Sequence, residues 1–207
     1  MTQAAVVRAE HVFKLLVTGP FAAGKTSLIQ AVSQTRVVGT DVETTGVESG
    51  VKSHTTVAMD FGSYALRDEA GDTDVRLLLF GTPGQARFRF MTDIMKGEVD
   101  AIVFVVDADA THTHAEAGAE MRALLADVRV PVVVAVNRCD DPAEAAVLAR
   151  QLGALAGEAA VPCQLIHSES AREVAIEGLL AVLDRLERGD VRVLEPLERV
   201  LVLAGAA

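Results

Sequence analysis

Gly19-Pro20-Phe21-Ala22-Ala23-Gly24-Lys25-Thr26-Ser27 fits the pattern G-x-x-x-x-G-K-[ST] and stands between a strand-like run and a helix-like run. Ahead of it, Val12-Phe13-Lys14-Leu15-Leu16-Val17 is short, apolar and rich in β-formers; behind it, Leu28-Ile29-Gln30-Ala31-Val32 contains no helix breaker. Strand, loop and helix thus follow in the order a phosphate-binding loop requires. Gly19 and Gly24 let the backbone bring its N–H groups close to phosphate oxygens, and the N-terminus of the following helix adds partial positive charge. The predicted phosphate cradle comprises Gly19, Ala22, Ala23, Gly24, Lys25, Thr26 and Ser27, with Lys25 reaching the β- and γ-phosphates and the Thr26 hydroxyl serving Mg2+. By itself the loop selects no base, and it does not separate kinase, ATPase and GTPase chemistry.

The length of 207 residues suits one domain with short appendages: a lead-in over 1–11, a nucleotide-binding domain over 12–188 and a C-terminal extension over 189–207. A net charge of −10 argues against a nucleic-acid-binding or anionic-membrane surface, so a phosphate ligand must be held locally. Of the four lysines, Lys14, Lys25, Lys52 and Lys96, one falls in the loop. Two cysteines, Cys139 and Cys163, are too few for a disulfide framework, and they read as lying at opposite ends of the sheet. There is no secretory signal pattern, no lipidation motif and no apolar run near the ~20 residues a bilayer requires. The expectation is a cytoplasmic protein without direct membrane insertion, associated with membranes, if at all, through partners.

Along the chain, 37–50 is polar, Gly-punctuated and Thr-rich, and reads as a long flexible loop. Thr55–Leu66 and Val75–Phe80, separated by Glu69-Ala70-Gly71-Asp72, predict a β-hairpin. Its second strand runs into Gly81-Thr82-Pro83-Gly84-Gln85, followed by a short helix over 86–96. Then apolar strands (101–106, 130–136, 163–167) alternate with amphipathic helices (115–127, 142–158, 171–187), the pattern of a parallel sheet covered on both faces. With one antiparallel edge strand from the hairpin, the expected fold is a three-layer α/β domain on a six-stranded, mostly parallel sheet. Its ligand should sit at the carboxyl ends of the strands. The apolar tail Val191–Leu203 is expected to dock on its own domain or to form a partner surface.

A second motif stands at one of those ends: Asn137-Arg138-Cys139-Asp140. A carboxylate accepts two hydrogen bonds only from a base edge that presents two adjacent donors, as guanine does and adenine does not. Asp140 is the predicted reader of that edge, Asn137 a brace for base and loop, and Arg138 an aliphatic cover for the ring. The competing role is an ordinary helix cap for Asp140 or Asp141. Ser170-Ala171-Arg172, at the end of the last predicted strand, offers the Ala171 N–H to the base carbonyl. Thr111-His112-Thr113-His114 has the wrong spacing for a metal site and reads as a helix lead-in.

Phosphate loop, threonine, P-G-Q, N-R-C-D and S-A-R in this order resemble the Ras-like small GTPases. Within them, Thr55–Gly62 and Phe80–Gln85 are similar to a prokaryotic branch containing the gliding-motility (MglA-type) GTPases and the small GTP-binding proteins of actinobacterial conservon cassettes. The resemblance covers about residues 12 to 188. It implies a Ras-like P-loop NTPase fold, GTP or GDP as ligand with Mg2+, and slow GTP hydrolysis. It assigns Thr56, with Thr55 as its competitor, to the switch threonine that senses Mg2+ and the γ-phosphate; Gly84 to the N–H that meets that phosphate; and Gln85 to the water-orienting residue. It also implies roadblock/LC7-type regulatory partners and a sensor-kinase complex. One position departs from the family: Gly81 stands where most Ras-like proteins carry the aspartate that supports the metal. Asp60, four residues after Thr56, is the candidate replacement, with an exposed edge-strand carboxylate as the alternative. Arg87 and Arg89 follow Gln85 and read as exposed helix residues. A scaffold that holds nucleotide without useful hydrolysis and an ATP-using P-loop protein remain open alternatives.

Overall fold

The computed structural model describes residues 9–45, 54–67, 73–84 and 89–188. The apolar run before the phosphate loop forms β1 (Ala9–Thr18), and the loop opens α1 (Lys25–Val32). There follow β2 (Val38–Thr45), β3 (His54–Arg67), β4 (Thr73–Gly81), α2 (Arg89–Met95) and β5 (Ala101–Asp107). Then come a 3-10 turn (Thr111–Thr113), α3 (His114–Leu125), β6 (Val132–Asn137), α4 (Pro142–Leu152), β7 (Ala159–Cys163) and α5 (Ser168–Glu187).

The strands form one seven-stranded sheet ordered β2-β3-β4-β1-β5-β6-β7. β1, β4, β5, β6 and β7 run parallel, whereas β3 is antiparallel to both β2 and β4. Central strands buried on both faces need apolar side chains at every position, not at alternate ones. β1 shows this from Leu15 onward: Leu15 and Val17, with Phe13, face the layer of α1 and α5, while Leu16 faces the layer of α3 and α4; Lys14, before them, is exposed. β5 divides in the same way, Val103 and Val105 on one side and Ile102, Phe104 and Val106 on the other. The covering helices use small residues at the contact, Ala145 and Ala149 in α4, Ala117 in α3, Ala171 and Ala175 in α5. α4 is delimited by its own chemistry. The Asp141 carboxylate accepts from the Ala143 N–H at 2.7 Å with Pro142 in the first turn, and Gly153 at φ 107° closes the other end.

The α/β class and the mostly parallel sheet agree with the sequence; the antiparallel strand is β3, which β2 covers, rather than an edge strand, and other local expectations are corrected. The seventh strand is β2, which the reading of 37–50 as a loop omitted; Val and Thr are strand formers, and the acidic residues among them suit a sheet edge. Residues 46–50 of that segment, the hairpin turn over 69–72 and the tail from 189 lie outside the described residues. α4 stops at Leu152 rather than continuing to 158, because Gly153 takes the left-handed conformation. The last strand is Ala159–Cys163, not 163–167: Pro162 argues against a central strand but is tolerated at the edge, where β7 lies. Cys163 therefore ends β7 beside Asn137, on the same side of the sheet as Cys139, whose N–H donates to the Cys163 carbonyl at 3.4 Å. Both thiols are free and buried, and burial pushes that of Cys163 up to about 12. Among the described residues no helix is long and apolar enough to cross a membrane.

Candidate nucleotide site

The phosphate loop leaves β1 with Gly19 at φ 133°, passes Ala22 at φ 60° and enters α1 through Gly24 at φ 113°. α1 has neither a side-chain N-cap nor an acidic residue in its first turn. Its N-terminal donors are thus left without a side-chain carboxylate, the condition for holding an external anion. Lys25 is buried, and its ammonium donates to the carbonyls of Gly19 at 2.9 Å and Pro20 at 2.6 Å. Burial lowers its pKa to about 8, against the opposing charges of Glu120 and Asp60. The sign of the consequence is fixed: the unfolded chain keeps a proton on lysine up to about 10.5 that the folded chain releases near 8. Stability of the ligand-free protein should therefore rise with pH across that window, and Lys25→Met should lose this part of the rise in thermal unfolding.

The cleft beside the loop, about 410 Å³, is closed by Asp60 and by Gly81 to Gly84. Asp60 of β3 lies directly across from Gly81 of β4. Its carboxylate accepts from the Thr26 hydroxyl at 2.6 Å. A Cβ on Gly81 would stand 2.6 Å from Ile29 Cδ1 and 3.1 Å from Asp60 Cβ, so a side chain at 81 would meet Ile29 first and its cross-strand neighbour Asp60 next. A hydroxyl and a carboxylate meeting at a phosphate loop fit an oxygen-loving cation that borrows its remaining ligands from phosphate and water. Among the described residues no group of three His, Cys, Asp or Glu gathers as a self-sufficient metal site. Gly84 reaches the same cleft: a Cβ there would overlap the Lys25 ammonium and lie 2.7 Å from Phe21 Cα.

Thr55 and Thr56 are not brought to this corner. They lie in β3 paired with Thr44 and Glu43, and Thr56 is four residues from Asp60 along the strand, ~13 Å of extended chain. Gln85 and Arg87 lie outside the described residues, and Arg89 opens α2.

At the other end of the candidate site Asn137 is buried and joins three loops. Its Nδ2 donates to the Ala23 carbonyl at 3.1 Å, while its Oδ1 accepts from the N–H of Arg138 at 3.0 Å and of Leu165 at 3.1 Å. The phosphate loop, the loop after β6 and the loop after β7 are thereby held to one amide. Arg138 has φ 58°, and its guanidinium donates to the buried Asp107 carboxylate at 2.8 Å. Asp141 takes the helix-cap role, which leaves Asp140 exposed with its Oδ1 accepting from Gln164 Nε2 at 3.0 Å. Ser27 lies in the first turn of α1 at the edge of the phosphate cleft.

The Ser170-Ala171-Arg172 expectation is corrected. α5 begins at Ser168, so Ala171 is buried in its first turn and its N–H donates to the His167 carbonyl at 3.0 Å rather than facing a base. The Ser170 hydroxyl accepts from the Gln164 N–H at 3.0 Å, fixing the loop that stands over Asp140, and Arg172 is exposed. The loop after β7 meets the N-R-C-D residues through Gln164, on the Asp140 carboxylate, and the Leu165 N–H, on Asn137 Oδ1, and sequence reasoning missed both because the last strand was placed four residues late. His114 Nε2 meets the Asp107 carbonyl at 2.9 Å.

Fold and site together define a phosphate-loop protein of small-GTPase-like architecture, with the loop at one pole of the site and N-R-C-D at the other. The chain belongs to the family described as conserved hypothetical ATP binding protein, whose model matches residues 36–153, beyond the phosphate loop itself. It is 29% identical over 137 residues to the Ras-related protein Rab-7L1 of Homo sapiens, a match spanning 63% of this chain and 61% of that one. It is 33% identical over 119 residues, 58% of its length, to translation initiation factor IF-2 of Francisella tularensis, of which that stretch is 12%.

Proposed function

We propose that this protein is a guanine-nucleotide switch that binds GTP and GDP with Mg2+ and hydrolyses GTP slowly. The observation that carries the reading is the single buried amide of Asn137, which joins the phosphate loop to the loop presenting Asp140. In this reading Lys25 and the N-terminus of α1 bind the phosphates, the Gly84 N–H meets the γ-phosphate, and Gln85 orients the attacking water. Mg2+ is held by Thr26 and Asp60, and when bound it offsets charge on the phosphate oxygens. Asp140 accepts from the guanine edge, and Gln164 holds its carboxylate in place. Thr56 reaches the γ-phosphate only if β2 and β3 move along the sheet edge, so the two nucleotide states differ there. The Ras-related match agrees with this. The finer likeness to MglA-type and conservon proteins, the roadblock/LC7 and sensor-kinase partners and a cytoplasmic location belong to the same proposal.

A second reading, ATP binding, is favoured by the family's description. A scaffold without hydrolysis, suggested by Gly81, is less well supported because the Asp60 carboxylate stands at that corner. Affinities for GDP, GTP, ADP and ATP separate guanine from adenine recognition. Asp140→Ala should weaken GDP binding about 100-fold while leaving ADP unaffected, since a carboxylate covered by the base it reads discriminates paired donors on that scale. Equal binding of ADP and GDP by the wild type would sink the guanine reading.

A further inference from the structure

Thr18, Thr82 and Thr92 come from three different segments, yet their hydroxyls form one chain. Thr18 ends β1 just before the phosphate loop, Thr82 follows Gly81, and Thr92 lies in α2. The Thr82 hydroxyl donates to that of Thr18 at 3.0 Å, and Thr18 meets Thr92 at 3.1 Å. Thr82 also donates its N–H to the Val17 carbonyl at 3.0 Å. Thr18 and Thr82 are buried. Leu15, Leu16 and Val17, just before Thr18, are fully buried and apolar, so packing at this place needs no hydroxyl.

Among the described residues the other directional contacts at α2 lie at its exposed C-terminal end, where Lys96 donates to Asp93 at 2.9 Å and to Asp127, just past α3, at 2.8 Å; the Thr18–Thr92 bond is the one at its inner face. The buried anchor of α2 is Met91, which with Met95 packs on Met59 and Phe80, and thioether side chains adapt to more than one arrangement. Phe90 and Ile94 are exposed. On its inner side a cavity of about 130 Å³, bordered by Thr18, Thr92, Gly84, Phe104 and Leu124, separates α2 from α3. A seven-residue helix with soft apolar contacts beside a cavity has room to shift; a hydroxyl bond picks out one place.

We infer that the Thr82–Thr18–Thr92 chain is a positioning device that fixes α2 to the root of the phosphate loop. It thereby sets where Gly84 stands relative to Lys25. The inference rests on the proposed reading of the cleft as a phosphate site for its consequence in hydrolysis, but not for the tethering itself. None of the three residues is assigned a contact with the nucleotide, so they act through Gly84 and α2.

Thr18→Val removes the central hydroxyl at nearly constant volume. Hydrogen exchange of the α2 amides, measured on the full chain without nucleotide, should speed up about fivefold, the scale of one net hydrogen bond. Single-turnover GTP hydrolysis should slow by a similar factor while GDP affinity stays within about twofold, and Thr18→Ser should restore both. Unchanged α2 exchange in Thr18→Val, or failure of Thr18→Ser to restore it, overturns the inference whatever the nucleotide chemistry. A wild type that hydrolyses no GTP, with α2 exchange responding as stated, overturns the proposed function and leaves the tether supported.

Discussion

Asp60→Ala is expected to weaken Mg2+-supported GDP and GTP binding about 10- to 100-fold while barely moving the affinity measured in chelator, because carboxylates that orient a metal's ligands typically carry that much. The argument starts from a strand register. β3 and β4 pair so that Asp60 faces Gly81, and the Asp60 carboxylate turns to the Thr26 hydroxyl at 2.6 Å. A carboxylate thus stands at the metal corner without coming from β4. The glycine and the aspartate are one arrangement, since a side chain at 81 would run into Ile29 and Asp60. Gly81→Asp alone should therefore harm binding, by crowding and by two like charges side by side. Placed in the Asp60→Ala background, the same change should cost less than in the wild type, a coupling that a double-mutant cycle of Mg2+ titrations reads directly. If Asp60→Ala binds nucleotide with the wild-type Mg2+ dependence, the pair Thr26–Asp60 is a surface contact and the metal is held elsewhere.

What the sequence disclosed and what it hid follow from how local each signal is. The phosphate loop was legible because its constraint is local: G-x-x-x-x-G-K-T between an apolar strand and a helix leaves little freedom. β5 and β6 were legible because burial on both faces forces unbroken apolar runs. β2 was not, since an edge strand needs no apolar alternation, and its threonines and acids also suit a loop. β7 was displaced by Pro162, whose missing N–H excludes a central strand but not an edge one. That shift carried a functional error with it, assigning to Ala171 a contact that its helical N–H cannot make, and passing over Gln164. The Gln164 to Asp140 bond joins two loops 24 residues apart and has no signature in local spacing. Asp60 was visible as a carboxylate four residues after Thr56, but the hydroxyl it meets is that of Thr26. Its match to Gly81 is a matter of register between strands, which composition does not specify.

Gly19→Ala should be among the most damaging single methyl additions in the chain. Gly19 has φ 133°, a conformation that side chains rarely adopt, and the cost of forcing one there is on the order of 1–3 kcal/mol. Space adds to this. A Cβ at 19 would overlap the Val105 carbonyl oxygen, with the Val105 carbonyl carbon at 3.1 Å and its nitrogen at 3.2 Å. Val105 lies within β5, fully buried and held between β1 and β6, so its backbone cannot step aside as a flexible side chain would. The phosphate loop thus begins where the chain leaving β1 passes close to Val105 of its parallel neighbour β5, and only a residue without a side chain fits. Gly157 is the natural control: its φ is 103°, but nothing lies within 4 Å of an added Cβ. Gly157→Ala carries the backbone strain alone and should lower the melting temperature by a few degrees. Gly19→Ala carries strain and collision, should lower it by about 10 °C or more, and should abolish nucleotide binding with or without Mg2+. Equal melting temperatures for the two variants would mean that the loop does not run against β5, and the phosphate site built on that contact would have to be redrawn.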